Sequence, residues 1–247
     1  MQFCRSATIP PIVDKSDKVK KIVVFTGSGV SAESGIRTFR DAGGLWEEYP
    51  VSEVATPEAW EKNPQLVQRF YNERRKQVIE AQPNSAHKAI AELESRYKVT
   101  VITQNIDDLH ERAGSTDIIH LHGEIRKSRS TRYPELVYPI EGWEIGMNEV
   151  CEKGHPLRPF IVWFGEAVPA MEAAIQQVML ADILLVIGTS LEVYPAASLI
   201  DYAATGIPKF FVDPEARSVT HIKNLTIIKE KAGVAIPDLV KKLLTTS

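Results

Sequence analysis

Six short apolar runs, each rich in β-branched and aromatic residues, constrain this chain most. They are "KIVVF" (21–25), "YKVTVIT" (97–103), "DIIHL" (117–121), "ADILLVIG" (181–188), "IPKFFV" (207–212) and "NLTIIK" (224–229). Their apolar character is too continuous for strands with one face in water. Helical patterns over 64–81, 85–96, 170–180, 195–204 and 236–245 separate them. Strands buried on both faces and joined through helices imply a parallel sheet between two helical layers. The expected fold class is therefore α/β, doubly wound, with a parallel Rossmann-like sheet.

Two segments break the alternation. Residues 42–95 read as a long, mostly helical insertion. Residues 123–158 are rich in proline, glycine and charge without a clear period, and read as a small irregular lobe. The domain is expected to span 19–247, with 1–18 as an N-terminal tail. A net charge of -3 with interspersed signs favours neither nucleic acid nor a membrane surface. No apolar run approaches the ~20 residues of a membrane helix. Cys4 and Cys151 are too few for a disulfide framework or a tetrahedral metal site. A cytoplasmic monomer is expected.

In an open α/β sheet, ligands bind beyond the carboxyl ends of the strands. There this sequence places Thr26, Gly27, Ser28, Gly29 and Ser31, then Gln104, Asn105 and Asp107, then His122, then Gly188, Thr189 and Ser190, and finally Asp213. Glycines directly after a buried strand let backbone approach an anion. Asn105 and Asp107 can instead cap a helix, and Asp213 before Pro214 can be a turn. Imidazole is the side chain best suited to take a proton near neutral pH. His120 and His122 share a face, and spacing alone does not choose between them.

Five segments in consistent order closely resemble the sirtuins, NAD-dependent protein lysine deacylases. They are "GSGVSAESGIRTFR", "TQNIDDLHERAG", "HLHGEI", "RPFIVWFGE" and "GTSLEVYPA". The resemblance implies an enzyme that removes nicotinamide from NAD and passes the acyl group to ADP-ribose. It implies His122 as general base, with Asn105 and Asp107 orienting ribose, water and nicotinamide. Gly27, Ser28, Gly29, Ser31, Gln104, Gly188, Thr189, Ser190 and Asp213 become NAD contacts. Phe39 and Arg40 end a polar loop that folds over the cofactor. The acyl-lysine peptide would pair as a strand between Val162, Phe164, Gly165 and Glu166 on one side and Val193 on the other. Mono-ADP-ribosyl transfer from the same NAD site is the alternative activity. Ser28, Arg37 and Asp213 depart from the family's usual residues without removing a catalytic group.

Most sirtuins hold a structural zinc between the catalytic histidine and the segment beginning Arg158-Pro159. Here that stretch has one cysteine, Cys151, with "SRSTRY" where a first pair would stand. No metal is expected. The lobe should instead close on an apolar cluster of Tyr133, Leu136, Val137, Tyr138, Ile140, Trp143, Ile145 and Met147.

In "NPQLVQRFYNERRKQVIEA", Leu66, Phe70, Arg74 and Val78 recur four apart, so Arg74 lies within the apolar stripe beside Tyr71. Arg69, Arg75 and Lys76 lie largely off it. A cation on a buried face must snorkel or find an anionic partner, either an internal acid such as Glu53 or Glu58 or a carboxylate on the acyl chain. Tyr71 and Arg74 match the Tyr-x-x-Arg signature of sirtuins that remove acidic acyl groups, and small Ala42 leaves room for a longer chain. Desuccinylase or demalonylase activity is expected to exceed or accompany deacetylase activity.

Overall fold

The computed structural model describes residues 19–38, 49–217 and 219–245. Phe39, Arg40 and Ala42 lie outside the described residues, as does the tail 1–18. In chain order the strands are β1 (Lys21–Thr26), β2 (Lys98–Thr103), β3 (Ile118–His120), β4 (Gly123–Ser130), β5 (Val137–Pro139), β6 (Leu157–Ile161), β7 (Ile183–Ile187), β8 (Lys209–Val212) and β9 (Leu225–Ile228). All six expected core strands are among them. They form one parallel sheet in the order β3-β2-β1-β7-β8-β9.

Connectivity reverses between β1 and β7, the place where a doubly wound sheet opens a crevice. The register aligns the strand ends. Thr26 is level with Thr103 and Ile187, Thr103 with His120, and Ile187 with Val212. The residues that follow, Gly27, Gln104, Leu121, Gly188 and Asp213, therefore emerge along one edge.

Alternation along each strand feeds two cores. Ile22 and Val24 of β1 pack with Ala86, Ile90 and Leu93 and with Ile236 and Leu239 of the C-terminal helix. Val23 and Phe25 pack on the opposite face with Ala174, Val178 and Leu199. Burying each such aliphatic or aromatic side chain contributes roughly 1.5–3 kcal/mol. A third core joins the helical segment to the smaller sheet, through Val67, Phe70, Tyr71 and Val78 against Ile125, Ile161 and Trp163.

Several boundaries differ from expectation. The C-terminal helix is Ala232–Thr245 and runs through Pro237, which reads in sequence as a first-turn proline. Residues Ala196–Tyr202 wind as a 3-10 helix. The lobe at 123–158 is not irregular: β4 pairs antiparallel with β5 and β6 in the order β5-β4-β6.

The expected apolar cluster of that lobe is not what ties it down. Of its eight residues only Ile140 and Ile145 are buried, while Trp143 and Met147 are exposed. The tie is polar and comes from the long helix Pro64–Glu80. Asn72 accepts from the N–H of Ile145 and donates to its carbonyl, which also accepts from Gln68 Nε2. Arg75 donates to the carbonyls of Ile125 and Trp143, at 2.6 and 2.8 Å. Arg75 is thus wholly buried rather than off the packed face. Periodicity in apolar residues could not reveal a second buried face made of Gln68, Asn72 and Arg75.

Candidate functional site

The aligned strand ends open into a cavity of about 920 Å³. On one side Ser28, Gly29, Gln104, Gly188, Thr189, Ser190 and Asp213 line it; on the other Tyr71, Val162, Phe164, Gly165, Glu166 and Val193 do. His122 and Asn105 face it between these groups. One cavity thus gathers most of the expected cofactor residues together with the expected peptide residues.

The glycines serve close packing first. A Cβ on Gly27 would stand 2.6 Å from the carbonyl oxygen of Gly188, and one on Gly29 would stand 2.7 Å from Gly188 Cα. Gly27 and Gly29 donate their N–H groups to the carbonyls of Ile187 and Gly188, at 3.0 and 2.9 Å. The two turns therefore interlock at the switch point, and the N–H groups of Gly27 and Gly29 are engaged within the protein. Asp213 makes the turn its sequence allows, accepting from the Glu215 N–H at 2.8 Å, and also lines the cavity.

Below the cavity floor lies a buried polar network. Ser31 Oγ donates to Asp107 Oδ2 at 3.0 Å and accepts from Asn105 Nδ2 at 3.1 Å. His87 Nε2 lies 3.4 Å from the same hydroxyl, while its Nδ1 accepts from the Asn84 N–H. Asn105 and Asp107 are both nearly inaccessible to solvent. Burial raises the Asp107 carboxyl above its ordinary range, although the Leu109 N–H and Ser31 oppose this. His87 and His110, edge to face with ring centroids 4.8 Å apart, are both pushed down by burial, His87 to about 4. Nothing in the spacing of the sequence marked His87, whose place in the network is set by the capping box that starts the helix Ser85–Glu92.

His122 Nδ1 donates to the carbonyl of Gln104 at 3.0 Å. Its Nε2 has no partner among the described residues, and burial lowers its pKa. The ring is thus neutral near pH 7, with a lone pair available. Gln104 accepts from Thr189 Oγ1 at 3.2 Å, but its buried Nε2 has no partner among the described residues. A buried amide donor is costly to leave unmet. A ligand rich in oxygen acceptors, such as a ribose, fits this requirement.

At the far end of the cavity Tyr71 is buried, and its phenol oxygen accepts from Trp163 Nε1 at 3.1 Å. Burial raises its pKa. Arg74 shares the helix face but reaches a narrow cleft lined by Ser31, Arg37, Asn105 and Asp107. Burial lowers Arg74 to about 10, so it stays charged at neutral pH. Glu166 turns away from the peptide edge into a clamp. Its carboxylate accepts from Arg158, Arg129 and the Trp163 N–H. The Arg158 guanidinium lies 3.7 Å above the Trp163 ring. Arg129, Arg158 and Trp163 were not singled out from sequence. The spacing within "RPFIVWFGE" was the available signal for the last two.

Known proteins resemble this chain in sequence and fold. A model described as "Sir2 family" matches residues 27–195. A protein of Helicobacter pylori named NAD-dependent protein deacylase is 51% identical over 226 residues, which are 92% of this chain and 98% of that relative. One of the same name from Bacteroides thetaiotaomicron is 49% identical over 231 residues, 92% of this chain and 99% of the relative. Among solved structures, a Sir2 homolog–NAD complex superimposes with a TM-score of 0.83 at 41% identity, covering 92% of this chain and 90% of that one.

Proposed function

The chain belongs to the Sir2 family, and from that premise we propose that it is an NAD-dependent protein-lysine deacylase that favours succinyl and malonyl groups over acetyl. The observation that carries the catalytic reading is His122, a neutral imidazole with one engaged nitrogen at a cavity shared by both sets of residues. NAD, when bound, supplies a ribose whose bond to nicotinamide can be broken. Gln104 Nε2 would donate to an oxygen of that ribose. Asn105 and Asp107, braced by Ser31, orient the nicotinamide end. His122 Nε2 takes the proton of a ribose hydroxyl, the task of a general base with a pKa below the working pH. Ser28, Gly29, Thr189, Ser190 and Asp213, which line the cavity, would hold the remainder of the dinucleotide. The N–H groups of Phe164 and Glu166 already bond Ala55 and Trp163, so strand-like pairing of the peptide uses Gly165 N–H and the segment's carbonyls. Val193 faces it from the other side.

The acyl preference rests on Tyr71 and Arg74. Trp163 occupies the phenol oxygen as donor, so the phenol proton points elsewhere and is available to a carboxylate. Arg74 stays charged though buried beside Tyr71. Hydrogen bonds to a charged group contribute ~1.5–3 kcal/mol each. Arg74→Met is therefore expected to cut kcat/KM for succinyl-lysine peptides by about 10- to 100-fold, and to lower that for acetyl-lysine far less. Nicotinamide release with acetyl-, malonyl- and succinyl-lysine peptides measures both. Equal loss on all three removes the acyl-reading role. Label from NAD on the protein itself, with no peptide turned over, points to mono-ADP-ribosyl transfer instead.

A further inference from the structure

His120 and His122 leave the same strand end two residues apart, and counting acceptors separates them. A neutral imidazole has one N–H to donate; only the imidazolium has two. His122 meets one acceptor, the Gln104 carbonyl. His120 meets two. Its Nδ1 lies 3.2 Å from the carbonyl oxygen of Asn105, and its Nε2 lies 2.7 Å from Glu111 Oε1. The carbonyl cannot donate. Glu111 is ionised at neutral pH, as a glutamate ordinarily is; burial acts to raise its carboxyl, but contact with His120 outweighs this and the net shift is downward. Only the imidazolium form of His120 satisfies both acceptors.

The surroundings agree. Glu111 comes from the helix Leu109–Ala113, and Glu124 of β4 adds a second carboxylate to the field. Lys127 bonds Glu124 at 2.7 Å, and among the described residues Asp107 and neutral His110 also interact electrostatically with His120. Burial acts to lower the His120 pKa, but Glu111, then Glu124 and the Asn105 carbonyl, outweigh it, and the net shift is upward.

We propose that Glu111 and His120 are positioning residues for the catalytic segment, the protonated His120 fixing the Asn105 carbonyl to the helix that carries Glu111. This rests on the reading of Asn105 and Asp107 as NAD contacts. Successive carbonyls, those of Gln104 and Asn105, are each held by an imidazole, so the peptide from which Asn105 projects has little freedom. Loss of the His120 proton breaks one contact in either tautomer, setting a lone pair against the Asn105 carbonyl or against Glu111. The hold is complete below the raised His120 midpoint and is lost as pH rises through it. His122 has the opposite requirement and must be neutral. Activity is thus confined between an acid limb set by His122 and an alkaline limb set by His120.

The test pairs imidazole ¹⁵N shifts in metal-free buffer with kcat and KM for wild type, Glu111→Gln and His120→Gln. His120 is expected to stay doubly protonated above the ordinary histidine midpoint near ~6.5, and His122 to lose its proton below it. Glu111→Gln, at a partly exposed site, should lower the His120 midpoint and move the alkaline limb of kcat by the same amount. At the wild-type optimum it should reduce kcat by about tenfold, less than the ~100-fold a 1 Å misplacement can cost, with the peptide KM unchanged. A pair that merely stabilises the fold would lower the melting temperature and leave the limb in place. That result overturns the proposal, as does a neutral His120 at a pH where His122 is still charged. If wild type turns over no acyl peptide, the functional reading fails on its own, and the order of the two midpoints still decides the dyad.

Discussion

Glu166→Gln keeps shape and removes one charge from the clamp below the peptide edge. In the native clamp Arg158 Nη2 lies 2.8 Å from both carboxylate oxygens, Arg129 Nη2 lies 3.0 Å from one, and the Trp163 N–H lies 2.8 Å from the other. Two guanidiniums thus share one anion. Glutamine offers a single oxygen, and its NH₂ faces a cation. Arg158 is nearly inaccessible and stacked on Trp163, so it cannot swing into water. Removing one partner of a fully buried pair costs about 3–5 kcal/mol. The Glu166 side chain is 21% exposed, so about 2–3 kcal/mol is the expected loss. The effect should spread, because Trp163 also donates to Tyr71 and borders Phe164. Urea unfolding measures the first consequence, and KM for an acyl peptide, expected to rise about tenfold as the edge loosens, measures the second. A loss under about 0.5 kcal/mol with unchanged m-value would mean that the clamp is no more than a surface ion pair and does not anchor the peptide edge.

Gly188→Ala should cost at least about 2–3 kcal/mol, combining left-handed strain with backbone displacement. Gly188 has φ +62°, and its Cβ would stand 2.3 Å from Val30 N; a melting temperature within about 2 °C of wild type would contradict the interlocked turns. Acid should destabilise the fold through His87. Its folded pKa of about 4 lies below the unfolded value, so the neutral form's contribution is present above pH ~6.5 and is lost as pH falls toward 4, up to about 3 kcal/mol. His87→Gln should flatten that slope in denaturant titrations, and an unchanged slope would assign it elsewhere. Chelators should leave the melting temperature unaltered, because Gln68, Asn72 and Arg75 tie the small lobe through its backbone. Arg75→Met should lower it instead; a chelator-sensitive melt would reveal a structural metal.

Continuous apolar runs announced the sheet, because strands buried on both faces have no other composition. Polar residues after those runs located the crevice, since parallel register brings strand ends level. What the sequence hid is polar and long-range. Arg75, Asn72 and Gln68 look like solvent-facing helix positions, yet they bond the backbone of a segment some 50–77 residues away. The lobe's strands were obscured because β4, "GEIRKSRS", buries Gly123, Ile125, Ser128 and Ser130, a face with a single large apolar side chain. Glu166 sits in a motif suited to peptide pairing, but its side chain turns inward to two arginines that spacing cannot bring together. His120 and His122 are equivalent by spacing, and only their acceptors in three dimensions distinguish them.

The most direct measurement incubates the protein with NAD and a succinyl-lysine peptide and follows free nicotinamide and unmodified lysine together, for wild type and His122→Ala. Equal amounts of the two products are expected from wild type. The variant should be slower by ~10²–10⁴-fold, the usual contribution of a general base. Intact NAD with every acyl peptide offered, or wild-type turnover by His122→Ala, would contradict the account.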